Sequence, residues 1–225
     1  MTALFRDRRE AGEQLARRLE AYRGRSKVVV LGLPRGGMVP AFEVAKHLNL
    51  PLDLIMVRKL TLPGSPPRAI GAITSGGHTL LDEEAIAQYG ATEGQVHEAE
   101  LDARATLQRR EKAYRGASPN LNLRDHTVII VDDGMNTGAT MQVAIAAVRN
   151  QGPARIVVAV PVAPAHGLET IEYADEVICL QQPADFKDLA GCYADFSKLD
   201  DDQVSELLER AGSYSLHEVD IPPFT

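Results

Sequence analysis

The stretch Val128-Ile-Ile-Val-Asp-Asp-Gly-Met-Asn-Thr-Gly-Ala-Thr-Met141 sets the reading of the whole chain. Its first four residues, Val128 to Val131, are apolar and β-branched, and read as a buried parallel strand. Asp132 and Asp133 stand where that strand must end. Gly134, Met135, Asn136, Thr137, Gly138, Ala139 and Thr140 follow as a short flexible loop. Helical apolar spacing resumes at Met141, Val143, Ala144, Ala147 and Val148. A strand that feeds a Gly/Thr loop and then a helix N-terminus builds an anion site. The N–H groups of the first turn and the helix dipole both face the bound group. A phosphate suits the loop. The acids cannot also hold it, since like charges repel, so they call for hydroxyls or a metal. A phosphate with a vicinal diol beside it is a phosphorylated ribose.

The segment Asp132-Asp133-Gly134-Met135-Asn136-Thr137-Gly138-Ala139-Thr140 resembles the phosphoribosyl-pyrophosphate (PRPP) motif of the type I phosphoribosyltransferases. A capped acidic turn accounts for one threonine, but not for the acids, glycines and threonines together. No Walker Gly-Lys-Ser/Thr follows, and the dinucleotide Gly-x-Gly-x-x-Gly is absent. The resemblance implies displacement of pyrophosphate from C1′ of PRPP by a nucleophile, commonly a ring nitrogen of a base, with Mg²⁺ as cofactor. It implies that Gly134 to Thr140 hold the 5′-phosphate and that Asp132 and Asp133 hold the ribose hydroxyls, with Asp133 also catalytic. It further implies Mg²⁺ held through PRPP and water, with Asp132 and Asp195 as the candidate protein ligands.

A second site of the same construction lies upstream. Lys27 to Leu33 reads as a strand that runs into Gly32-Leu33-Pro34-Arg35-Gly36-Gly37, and a helix follows from about Val39 to Leu48. Leu33 to Gly37 resembles the family's pyrophosphate loop, which makes Arg35, Gly36 and Gly37 the expected pyrophosphate ligands. Many relatives carry a cis non-proline peptide there, expected here near Arg35-Gly36. Leu52 to Val57 reads as a third strand. Arg58 and Lys59 then open a Pro-rich loop that ends at Arg68. Its length and cations suit a mobile lid over a polyanion. In the family such a loop brings cations to the leaving group, so Arg58 and Lys59 are expected to bind pyrophosphate and act in catalysis; Arg68 is as readily an incidental surface cation.

Residues 69–74 and 78–81 read as a hairpin joined by Ser75-Gly76-Gly77. A short helix over 83–88 and a long one opened by Thr92-x-x-Gln95 make a helical insertion, about 83–116, over the lid or at a dimer contact. His97 on it reads as a surface histidine. Two further strands, 154–160 and 175–180, flank a short helix at about 165–173. The fold expected is α/β, a five-stranded parallel sheet flanked by helices, with a lid and hairpin at about 58–81 and a C-terminal hood at about 181–225. The whole of 1–225 reads as a single domain. Purine-using relatives carry an aromatic that stacks on the base and a later Gly-x-x-x-Asp-aromatic run. Phe186 and Gly191-x-x-x-Asp195-Phe196 resemble these, so Phe186, Asp195 and Phe196 are candidate base-binding residues; they read equally well as hood packing.

Composition narrows the classes. The chain has 225 residues and a formal charge of −7, which argues against general nucleic-acid binding. Five Arg residues between Arg8 and Arg23 alternate with acids and read as a solvated helix face. Cys179 and Cys192 have neither metal nor disulfide spacing and read as buried thiols. No long apolar run marks a membrane span or a leader, so a cytoplasmic setting is expected. In purine-type relatives the position of Asn136 is often an Asp proposed as general base. Asn cannot take that proton, which argues against a usual hypoxanthine or guanine enzyme and leaves the acceptor open. A PRPP or nucleotide sensor without chemistry is the alternative. A phosphohydrolase would need more metal-holding acids than the sequence offers. A homodimer is implied only by analogy with the family.

Overall fold

The computed structural model describes residues 3–64, 68–116 and 121–215. The chain runs α1 (Arg8–Arg18), β1 (Val28–Gly32), α2 (Met38–Leu48), β2 (Leu52–Leu54), β3 (Val57–Leu62), β4 (Arg68–Thr74) and β5 (Thr79–Leu81). It continues through α3 (Glu83–Tyr89), α4 (Glu93–Arg115), β6 (Thr127–Val131), α5 (Ala139–Arg149), β7 (Arg155–Val162), α6 (Ala165–Glu169), β8 (Glu176–Gln181) and α7 (Asp201–Ser215).

Five strands form one sheet in the order β2-β1-β6-β7-β8, every pairing parallel. Both faces are covered, which is why its central strands are apolar throughout rather than alternating. Val29, Leu31, Val128, Ile130, Ile156 and Val158 pack with α5 on one face. Val28, Val30, Ile129, Val131, Val157 and Ala159 pack with α1 and α2 on the other. The expected five-stranded parallel sheet flanked by helices is the fold observed.

β3, β4 and β5 form a separate antiparallel sheet. Leu60, Leu62, Ile70 and Ile73 bury one of its faces against Ala103, Leu107 and Tyr114 of α4. The sequence reading places Arg58 and Lys59 at the mouth of a lid loop. Both sit instead on β3, hydrogen-bonded along its length to β4. The Pro-rich segment begins only after Leu62, and its Ser65, Pro66 and Pro67 lie outside the described residues, as do 117–120 of the connector and 216–225 of the hood.

Local signals set the helix ends. Thr92 and Gln95 form the reciprocal capping box expected at the start of α4. Asp7 and Asp82 cap α1 and α3 through their carboxylates. A buried ion pair ties the end of α4 to the main sheet: Arg115 meets Asp53 of β2, and both side chains are under a tenth exposed. His97 is exposed, as expected; Cys192 is buried and Cys179 half-buried, and both are free thiols. Among the described residues no helix is long and apolar enough to cross a membrane.

Candidate functional site

β1 and β6 are neighbours in register, so the loops that leave their C-terminal ends lie side by side. Leu33 N–H donates to the Val131 carbonyl at 3.0 Å and holds the loops together where they start. A Cβ on Gly37 would meet Asp132 Oδ1 at 2.6 Å and the Leu33 carbonyl oxygen at 2.7 Å. One on Gly36 would collide with the Asp133 carboxylate. Glycine is required at both positions for space, since the neighbouring loop carries the acids. The Leu33–Gly37 loop contains a cis peptide at Pro34–Arg35, one bond earlier than the expected Arg35-Gly36.

The acids have unlike surroundings. Asp132 is half-buried, and its Oδ1 accepts the Asp133 backbone N–H at 2.8 Å. Burial, and then the neighbouring Asp133 charge, push its carboxyl well above the usual range. Asp133 is buried, and its Oδ2 accepts Arg8 Nε at 2.6 Å. The Tyr193 hydroxyl donates to the Asp133 carbonyl, and burial raises that phenol's pKa first of all. Neither Arg8 nor Tyr193 stands out in the sequence. Arg8 lies 125 positions from its partner, in a helix whose other charges are ordinary surface charges. No local pattern marks it.

The loop after the acids divides in two. Gly134 and Met135 are built into the protein: Met135 is buried, and its N–H donates to the Val162 carbonyl at 2.9 Å. Asn136, Thr137, Ala139 and Thr140 are exposed, and Gly138 turns between them at φ +75°. α6 braces the turn, with Thr170 Oγ1 donating to the Thr137 carbonyl at 3.0 Å. The N-cap residue Gly138 has no side chain with which to cap α5, and no acid sits in its first turn. Thr137 Oγ1 accepts the Ala139 N–H at 3.5 Å, and the N–H groups that follow face an anion at the helix N-terminus.

The other expected residues are less closely gathered. Arg35 lies 3.8 Å from Asp201 of α7, both half-exposed. Arg58 and Lys59 are adjacent on a strand and so face opposite ways. Arg58 pairs with Asp102 of α4 at 3.3 Å. Lys59 lines a cleft of about 550 Å³ shared with Ala139 and Thr140, at the start of α5. Arg68 lies over the Tyr89 ring, 5.5 Å from its centroid. In the hood, Phe186 packs against a cluster that contains Phe5 and Tyr193. Asp195 accepts the Ser197 hydroxyl and N–H, and these bonds lower its pKa. Phe196 stacks on Tyr193 at 5.1 Å and carries Arg8 at 3.7 Å from its ring centroid. The hood aromatics are thus engaged with protein. Among the described residues no three His, Cys, Asp or Glu side chains are grouped to hold a metal.

The model of the phosphoribosyl transferase domain matches residues 6–196, which include both loops, the acid pair and Arg8. The chain belongs to the phosphoribosyl transferase family. A Thermus thermophilus protein, TT1426, has a crystal structure that superimposes with a TM-score of 0.79 at 39% identity, over 93% of this chain and 99% of that one. Two Mycobacterium tuberculosis relatives, from strains CDC 1551 and H37Rv, each bear the name "Putative phosphoribosyl transferase". Each is 41% identical over 209 residues, 92% of this chain. The matched region is 47% of each relative's length, so this chain spans about half of them.

Proposed function

We propose that the protein transfers the 5-phosphoribosyl group of PRPP to a nitrogenous acceptor and releases pyrophosphate. The observation that carries the reading is the contact between the two loops at Gly36, Gly37, Asp132 and Asp133. It sets paired carboxylates between the N-terminus of α5 and a Gly-rich turn, as a ribose with an anion at each end requires. The N–H groups of Thr137 to Thr140 hold the 5′-phosphate, and the hydroxyls of Thr137 and Thr140 add to them. Asp132 and Asp133 accept from the ribose 2′- and 3′-hydroxyls. The backbone of Gly36 and Gly37 receives the pyrophosphate, with Arg35 at the rim, while Lys59 stands beside the start of α5 and the 5′-phosphate.

Bond breaking at C1′ develops positive charge on the sugar and negative charge on the leaving group. Rate then comes from positioning and from fixed charges near those atoms. Asp132 would be the protein group to hold Mg²⁺, with hard oxygen donors from PRPP and water completing a set that suits this ion. When bound it offsets charge on the leaving group. Asn136 is exposed beside the site and carries no titratable carboxylate, so the acceptor is one that needs no acid base there.

The test is pyrophosphate release from PRPP and Mg²⁺ across a panel of purine, pyrimidine and pyridine bases. Release that depends on one acceptor supports the proposal. PRPP binding with no release from any acceptor contradicts it.

A further inference from the structure

We infer that Arg8 is a positioning residue for the sugar-binding acid Asp133, acting from a helix outside the motif; this rests on the phosphoribosyl-transfer reading above. One guanidinium makes three contacts with three different groups. Its Nε donates to Asp133 Oδ2 at 2.6 Å, and both side chains are 11% exposed. Its Nη1 donates to the Ser197 carbonyl at 2.8 Å. Its plane rests on Phe196. Tyr193 fixes the main chain of Asp133 separately, so Arg8 acts on the carboxylate alone.

Charge gives this contact its consequence. Two adjacent carboxylates would repel a substrate that carries a phosphate and a pyrophosphate. A buried Arg at one of them offsets that charge and fixes the direction of the other lone pairs. The pair also lies beneath the pyrophosphate loop, since a Cβ on Gly36 would come within 3.2 Å of Arg8 Nε. Arg8 therefore places a cation under the leaving-group turn while holding the acid that grips the sugar. Lys would return the charge, but it cannot bond the acid and the Ser197 carbonyl from one rigid plane.

Calorimetry with PRPP, ribose 5-phosphate and inorganic phosphate tests this on the full chain. Arg8→Gln is expected to weaken PRPP and ribose 5-phosphate by about tenfold or more, because it leaves a buried carboxylate unpaired. Inorganic phosphate, which has no hydroxyls for Asp133, is expected to bind as in wild type. Arg8→Lys is expected to recover part of the loss. In an Asp133→Asn background Arg8→Gln is expected to add nothing further, since the two act as one unit. Unchanged PRPP affinity in Arg8→Gln overturns the inference, as does an equal loss for all three ligands, which would mark a purely structural role. Should Arg8→Gln fail to fold, Phe196→Leu, which removes the aromatic seat and keeps the ion pair, is expected to weaken PRPP but not phosphate; wild-type PRPP affinity there overturns the inference. A wild-type chain that binds neither sugar phosphate overturns the phosphoribosyl reading itself.

Discussion

Gly37 and Asp132 belong to different loops, yet a methyl group on the glycine would stand 2.6 Å from the aspartate Oδ1. The Gly36–Gly37 turn and the acid pair are therefore one packed unit. Gly37→Ala is expected to push them apart, with a stability loss of about 1–3 kcal/mol from overpacking. PRPP affinity is expected to fall by about tenfold, as small displacements in a positioned site are costly. Urea unfolding and calorimetry measure the two effects; a variant that binds PRPP as tightly as wild type would show that the loops do not share a ligand.

Asp132 links site chemistry to stability through pH. Burial and Asp133 raise its carboxyl above the ordinary value of 3.8, so the fold accommodates the neutral form better. Its favourable contribution is full below that value and is lost as pH rises through the raised folded pKa. Asp132→Asn is therefore expected to stabilise the unliganded protein at neutral pH by about 0.5–2 kcal/mol while weakening PRPP binding. The gain should shrink as the pH falls toward the ordinary carboxylate range. Melting curves across pH measure it, and a destabilised variant at neutral pH would contradict it.

Lys59 and Arg58 should differ sharply despite being neighbours. Lys59 shares a cleft with the start of α5, whereas Arg58 is paired with Asp102 on α4. Lys59→Ala is expected to lower kcat/KM by about tenfold or more, through loss of a cation near the phosphates. Arg58→Ala should change stability by no more than about 1 kcal/mol, as exposed pairs contribute little, and should affect turnover less. Steady-state kinetics on both variants decide; a larger kinetic loss for Arg58 would mean that β3 presents its other face to the ligand.

The Asp53–Arg115 pair fastens the α4 end to the edge strand β2. Arg115→Met leaves Asp53 buried, with only backbone N–H donors from Leu54 and Leu121. A loss of about 3–5 kcal/mol is expected. Urea unfolding checks it; a loss below about 1 kcal/mol would mean that the pair is dispensable to the attachment.

The main sheet is legible in the sequence because its strands are continuous β-branched runs and its loops carry Gly and Thr at phosphate-site spacing. The acid pair and the two loops can be matched for the same reason. The second sheet is harder to read: Arg58 and Lys59 interrupt the apolar pattern of β3, and the prolines after Leu62 pull the reading toward a loop. Its strand signal is the alternation of Leu60 and Leu62 with polar neighbours, which packs them in one cluster with the β4 residues Ile70 and Ile73. Arg8 is illegible on different grounds. Its role exists only once α1, the acid loop and the segment around Phe196 are brought together. A charge pattern along one helix cannot report a partner 125 positions away.

One ligand is expected to be held by its phosphate on α5 and by its ring hydroxyls on the acid pair. Calorimetric titration of PRPP with Mg²⁺ into wild type and Asp132→Asn/Asp133→Asn tests it most directly. Saturable binding by wild type that falls at least about tenfold in the double variant is the predicted result. Equal affinity in the two proteins, or no binding by wild type, would contradict it.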